Sequence, residues 1–453
     1  MKISSILSTI AILALVSGCT NKIVEQDVST SDNMAVNNSM QKQVIKDVKI
    51  QEVKNVEKTP TINLKTNEIE FLEILKNDKY ASICGSEADY QNILQLDNPA
   101  EKSKKLEELF YEYTKNLSNS CINQSAFKKE LRKRKYRDAN QDYEVYNVDI
   151  NKEKLIEKFS SNTQSVSSIL ETYTPKHPQF FALIKKLNDS SLSQAKQNKL
   201  RLNIERLKLL KYSNSDNFIQ LNVPTYNFAF YEEGKRTKTF GTVVGAPDAQ
   251  TPVLSSKLAY FIVNPTWNIP DSIAKSSIIP KALKDRNYLR KKNIVIRKNY
   301  RLDSKKIKWG DVKWKKYLKK NVKYIPYKFI QLPSRTNGMG RMKFIFPNDY
   351  AVYMHDTIGT WRFKSSKQKI RFTSHGCIRL EHPVSLMKYL STNYTKYSYK
   401  KVRGIYDSQK TDTIRLNKKL PIHLTYQTAQ VNNGKLSFYN DVYGYDKIQK
   451  LNF

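Results

Sequence analysis

Cys377 stands in the run Ser374-His375-Gly376-Cys377-Ile378-Arg379-Leu380, and His355 precedes it in Tyr353-Met354-His355-Asp356. A thiol beside an imidazole suits nucleophilic acyl transfer, because the base takes the proton as sulfur attacks a carbonyl. The chain holds only four cysteines and five histidines, and His355, His375 and His382 all fall in this region. His355 ends an expected strand, and a returning chain can bring it alongside the cysteine. That makes His355 the candidate base and His375 a supporting group. Gly376 allows close backbone approach or a positive φ. The N–H groups around Gly376 and Cys377 then suit an oxyanion hole. Arg379 suits bidentate binding of a substrate carboxylate. A metal site is disfavoured: one cysteine lies nearby and the spacing fits no familiar zinc pattern. No metal and no cofactor are expected.

These residues must be held by a substantial scaffold. The 453 residues are enough for two or three domains, each with its own core. The net charge of +36 points to an anionic partner. Basic residues are densest from Lys281 to Lys328. There is no zinc-finger spacing, RNA-binding signature or Walker loop, so nucleic acid is not the expected partner. At the N-terminus, Lys2 and the apolar run from Ile6 to Val16 have the form of a signal segment, too short to span a bilayer comfortably. Val16-Ser17-Gly18-Cys19 then resembles a bacterial lipobox, with Cys19 as the lipidated residue; the alternative is an ordinary signal peptide with a chance cysteine. Residues 1–18 are thus read as a lipoprotein signal peptide and 19–65 as a flexible polar tether. The expected location is the periplasm, anchored by lipid to a membrane. Thr20 after Cys19 tilts the choice towards the outer membrane. Outside the cytoplasm disulfides are allowed; Cys84 and Cys121 either pair or stay as two buried thiols.

Residues 66–215 read as a helical scaffold. Leu106, Leu109, Phe110 and Tyr113 recur at helical spacing, as do Phe180, Phe181, Ile184 and Leu187, and then Leu200, Ile204 and Leu207. The pattern changes near Phe218. Alternation predicts strands over 219–223, 226–231 and 237–244, with a turn at Gly245-Ala246-Pro247-Asp248 and an apolar strand over 258–263. Asn264 to Pro270 interrupts the sheet. A basic excursion with a helical start at 272–283 follows, the kind of segment that forms lids. Strand signals resume at 342–346 and 351–354. A helix is expected from Pro383 to about Ser391, and a last strand over 421–426. Phe438, Tyr439, Tyr443 and Tyr445 imply that the C-terminal region packs on the domain.

Ser374-His375-Gly376-Cys377 with an upstream histidine resembles the signature of YkuD-type L,D-transpeptidases. Further stretches resemble the YcbB-like branch: Gly245-Ala246-Pro247-Asp248 with Thr251-Pro252-Val253, Asn264 to Pro270, Gly340 to Phe344, Tyr353 to Thr357, Pro421 to Val431, and Leu202 to Arg206. The resemblance implies an α+β fold. A mainly antiparallel β catalytic domain at 216–446 would carry an inserted capping subdomain at about 270–333, follow the helical domain, and precede a tail at 447–453. It also implies a peptidoglycan L,D-transpeptidase. Cys377 would attack the third residue of a stem tetrapeptide, usually diaminopimelate, and crosslink it to the third residue of a second stem. His355 would be the base, oriented by the Asp356 carbonyl. Tyr353, Trp267, Ser374 and Arg379 would line the substrate pocket. The expected partners are stem peptides, the membrane through the lipid, and cell-wall synthesis proteins. Two alternatives remain: an L,D-carboxypeptidase using water as acceptor, and a non-catalytic wall-binding lipoprotein. The chain departs from the family where Arg379 replaces the asparagine of many members, and from the branch where His375 replaces serine.

Overall fold

Eight helices precede the first strand among the described residues: α1 (Thr66–Lys76), α2 (Glu87–Leu94), α3 (Pro99–Asn119), α4 (Gln124–Lys133), α5 (Lys152–Ser160), α6 (Val166–Glu171), α7 (Gln179–Leu187) and α8 (Gln194–Lys208). The computed structural model describes residues 64–134, 143–189, 191–210, 216–322, 324–365 and 368–452. All of them lie in one compact unit. The leader, Cys19 and the tether up to residue 63 lie outside the described residues.

Sequence spacing accounts for the helical core. In α3, Leu106, Leu109, Phe110, Tyr113 and Leu117 are three or four apart, so they share one face, and all are buried. Pro99 at the first turn and the Asn98 side chain, which accepts from Ala100 and Glu101 N–H, fix where this helix starts. Phe71, Phe110 and Phe159 close the core with edge-on and stacked contacts. Cys84 and Cys121 are disulfide-bonded, joining the segment before α2 to the end of α3.

Helix α8 ties this layer to the rest of the chain. Glu205, fully buried, accepts from Cys121 N–H at 2.7 Å and pairs with buried Lys208 at 2.9 Å. On the other side of α8, buried Arg206 pairs with Asp446 at 2.8 Å and donates to Gln449 at 2.6 Å. Each buried charge therefore has a partner, without which its desolvation would be prohibitive.

The strands are β1 (Phe218–Asn222), β2 (Asn227–Glu232), β3 (Lys235–Gly245), β4 (Leu254–Val263), β5 (Trp267–Ile269), β6 (Ile294–Arg297), β7 (Lys328–Gln331), β8 (Met342–Ile345), β9 (Met354–His355), β10 (Phe372–Ser374), β11 (Ile378–Leu380), β12 (Asp412–Thr425), β13 (Ala429–Asn432) and β14 (Lys435–Phe438). Nine of them form one sheet in the order β10-β3-β11-β9-β8-β4-β12-β1-β2, and β2 also pairs with β3. Eight of the strands, β3 to β2, thereby close into a ring, and β10 remains as an edge strand on β3. Most pairs are antiparallel; β1–β12, β10–β3 and β11–β9 are parallel. The fold is α+β, with helices before a large, mostly antiparallel sheet. A separate three-stranded sheet, β5-β7-β6, has its own core of Ile269, Ile278, Ile279, Ile296, Trp314 and Phe329. The β13–β14 hairpin packs on the helical layer through Ala429, Val431 and Phe438.

Several elements differ from the sequence expectation. The strand expected over 351–354 is only Met354–His355. The Asn348 side chain donates to the carbonyls of Phe346 and Val352 and accepts from the N–H groups of Tyr350 and Val352, so it holds a tight loop where pairing was expected. The last strand starts nine residues early, at Asp412; its register shifts between Arg415 and Leu420, where Asn417-Lys418-Lys419 breaks the apolar alternation and hides its first half from the sequence pattern. Asn264 to Pro270, expected to interrupt the sheet, contains β5 of the small sheet. The helical start at 272–283 carries a π-helical segment at Ala274–Ile278. A helix over Tyr399–Asp407 was not anticipated.

Burial also fixes how stability should depend on pH. His177, His355 and His423 are buried, which pushes their pKa values down to about 4, about 4 and about 3. The unfolded chain therefore takes up protons first as pH falls below about 6.5. Stability is complete above that value and is lost as pH falls towards 4, by roughly 2 kcal/mol per histidine at pH 5. The midpoint of urea unfolding should drop clearly between pH 7 and pH 5. An unchanged midpoint would show that these rings are not buried in the neutral form.

Candidate active site

Strand register decides which side chains meet. Arg379 of β11 lies opposite His355 of β9, and His355 lies opposite Lys343 of β8. Paired residues point to the same face of a sheet, and so do residues two apart along a strand. Lys343, His355 and Arg379 thus form one row across three strands. Tyr353 and Cys377, each two residues earlier, flank that row. The intervening Phe344, Met354 and Ile378 point the other way and are fully buried in the core. Alternation thus puts the apolar residues inside and gathers the chemistry on one face.

His355 is 6% exposed, and its Nδ1 lies 2.6 Å from the carbonyl oxygen of Asp356. A carbonyl can only accept, so Nδ1 carries the proton and Nε2 keeps its lone pair. Burial pushes the imidazole down to about pH 4, and the Arg379 and Lys343 charges push the same way. The ring is neutral at pH 7. The Asp356 carboxylate accepts from the N–H groups of Arg341 and Thr357, at 2.8 and 2.7 Å, so it anchors the loop that presents the carbonyl. Gly340 passes directly over that carboxylate. A Cβ there would come within 2.5 Å of Asp356, and its φ is +64°, so only glycine fits without strain.

Cys377 is partly buried and is the free cysteine among the described residues. Burial pushes its thiol up, while hydrogen bonds from Tyr353 and the charges of Lys343 and Arg379 pull it back. At pH 7 the thiol and the imidazole are both uncharged.

The loop carrying the cysteine is held from below. Ser374 Oγ donates to the Cys377 carbonyl at 2.6 Å, and Thr251 Oγ1 donates to the Gly376 carbonyl at 2.8 Å. The Gly376 N–Cα bond has φ +98°. In a trans peptide the N–H points opposite to the preceding C=O. With the Gly376 carbonyl turned towards buried Thr251, the Cys377 N–H faces away from the interior. It has no acceptor among the described residues, which leaves it available to an oxyanion.

The remaining candidates are placed unequally. Tyr353 stacks under the Lys343 ammonium, which is 3.8 Å from its ring centroid, and its ring lies 5.9 Å from that of His355. Trp267 belongs to the small sheet; its ring packs against Gly338, next to Met339, whose sulfur is 3.9 Å from Tyr353 Oη. Ser374 is buried and committed to the cysteine loop rather than open to a ligand. His375 is exposed and has no hydrogen-bond partner among the described residues. Sequence spacing gave no role to Thr251 or Lys343. Both lie far from Cys377 along the chain, and only the register and the loop contacts bring them to it.

Comparison with known proteins follows the same region. Residues 216–402 match the family model described as YkuD, the L,D-transpeptidase catalytic domain. A protein of Haemophilus influenzae, provisionally named an L,D-transpeptidase, is 30% identical over 251 residues, covering 55% of this chain. The chain spans about half the length of that curated relative, 48%. A solved L,D-transpeptidase from Mycobacterium smegmatis is matched at 13% identity over 47% of this chain and 59% of that one, with a TM-score of 0.20, too low to carry weight.

Proposed function

We infer that residues 216–402 are an L,D-transpeptidase catalytic domain of the YkuD family, with Cys377 as nucleophile and His355 as base. The observation that carries this reading is the row of His355, Arg379 and Lys343 beside Cys377, with the His355 Nδ1 proton committed to the Asp356 carbonyl. His355 Nε2 takes the thiol proton as Sγ bonds to the carbonyl carbon of the third stem residue. The oxyanion forms against the Cys377 N–H. The C–N bond to the terminal D-alanine breaks, and the imidazolium returns its proton to the leaving amine. A thioester remains. The side-chain amine of a second stem attacks it, losing its proton to His355, and the thiolate leaves and is reprotonated.

On this reading the product is a crosslink between two third-position diaminopimelate residues, and the chain belongs with the YcbB-like branch. The Gly338–Met339 contact with Trp267 and Tyr353 couples the small sheet to the site, as expected of a cap. The lipobox at Cys19 supports a lipid-anchored protein in the periplasm acting in cell-wall assembly.

The test is to incubate the Cys19→Ala chain with disaccharide-tetrapeptide and follow products by mass spectrometry. Crosslinked dimers are expected. Tripeptide alone would replace transpeptidation by trimming, and identical products from Cys377→Ala would remove the thiol from the reaction.

A further inference from the structure

Two cations, Lys343 and Arg379, act on Cys377, and a third, Arg362, acts on Arg379; none of the three has a counter-ion among the described residues. Lys343 and Arg379 flank His355 in the cross-strand row. Arg362 comes from the short helix Trp361–Lys364, which packs on β3, the strand beside β11. Its guanidinium stacks on the Trp361 ring, 4.6 Å from the centroid. Trp361 is 57% exposed and neighbouring Ile358 58%, so this stack faces solvent. Lys343 and Arg379 are partly buried. Among the described residues no carboxylate lies within ion-pair distance of any of the three, although elsewhere partly or fully buried cations such as Arg201, Arg206, Lys208 and Lys328 are each paired.

Like charges gathered in a half-buried site repel one another and oppose folding unless an anion joins them. Burial, and then the charge of nearby Arg362, oppose the positive form of Arg379. Adjacent strands are about 4.8 Å apart, so Lys343 and Arg379, two strands apart, are separated by roughly 10 Å at the backbone with the base between them. That spacing suits anionic groups on both sides of one reacting carbonyl.

We propose that Lys343 on one side, and Arg379 with the Trp361-stacked Arg362 on the other, form a two-sided anion site that selects acyl donors carrying a free carboxylate on each side of the scissile carbonyl. Arg362 is the specificity residue that stands with Arg379. The Trp361 ring beneath it and Gly359 against Nη1 pre-orient its planar fork, the geometry that suits a carboxylate. A donor with either carboxyl converted to an amide loses a charge-assisted contact and gains nothing in return. The choice of donor rests on the transpeptidase reading; the anion site does not.

Two measurements keep those apart. The first alkylates Cys377 in the full chain carrying Cys19→Ala, using iodoacetate, an anion, and iodoacetamide, its neutral counterpart. The ratio of the two rates should exceed that of free cysteine about tenfold at low salt. It should fall as salt is raised, fall in Lys343→Met and Arg362→Leu, and be retained in Lys343→Arg. A ratio equal to that of free cysteine overturns the anion site, whatever the enzyme's reaction. The second measures kcat/KM for donor tetrapeptides with all carboxyls free or with one, on either side of the scissile carbonyl, amidated. Amidation should cost the wild type roughly tenfold or more, mostly in KM, and should cost the variant lacking the matching cation little. Equal losses in wild type and variants overturn the selectivity. A raised, salt-sensitive alkylation ratio with no turnover of any donor would instead overturn the transpeptidase reading and leave the anion site standing.

Discussion

Cys377→Ala is expected to form no covalent adduct with stem peptide, and to lose activity by about 10⁴-fold or more, as removal of a covalent nucleophile typically does. The fold should survive, because the side chain is only partly buried and its loop is held by backbone contacts to Ser374 and Thr251. Intact mass after incubation, together with an unchanged unfolding midpoint, separates the two effects. A substrate adduct that persists in the variant would move the nucleophile elsewhere.

The second large effect concerns His355→Gln. The wild-type pair is neutral: burial raises the Cys377 thiol and depresses His355 to about 4. Base catalysis therefore needs no prior ionisation of either group. The acylation rate of the wild type should stay nearly level from pH 8 to about pH 5 and fall as the imidazole takes up a proton near pH 4. Without the base, only pre-formed thiolate reacts. The variant should be slower by roughly 10²–10⁴-fold at pH 7, and its rate should rise about tenfold per pH unit until the thiol ionises. This pH slope is what a merely structural histidine would not produce. A variant with the wild-type pH profile would remove His355 from proton transfer.

The helices of the scaffold were legible because their apolar residues recur at three and four, which no other element tolerates. The β region was legible through alternation in 219–223 and 226–231. Alternation failed where a polar side chain or a bulge overrode it: Asn348 turns 348–352 into a loop, and Asn417 to Lys419 hides the first half of β12. Both depend on contacts that a window of sequence does not contain.

The sequence by itself determined the chemical parts: a cysteine, an upstream histidine, a glycine and an arginine, close enough along the chain to be noticed together. It determined them because their types and spacing are local properties. Only the tertiary structure decided how they act. Register across β8, β9 and β11 set Lys343 and Arg379 on either side of His355. Thr251, 126 residues before Cys377 in sequence, turned the Gly376 carbonyl inward. Ser374 was drawn into the interior and His375 left outside. Which face a side chain takes, and which charge lies next to it, depends on pairing between distant segments, and that information does not reside in any one stretch of the chain.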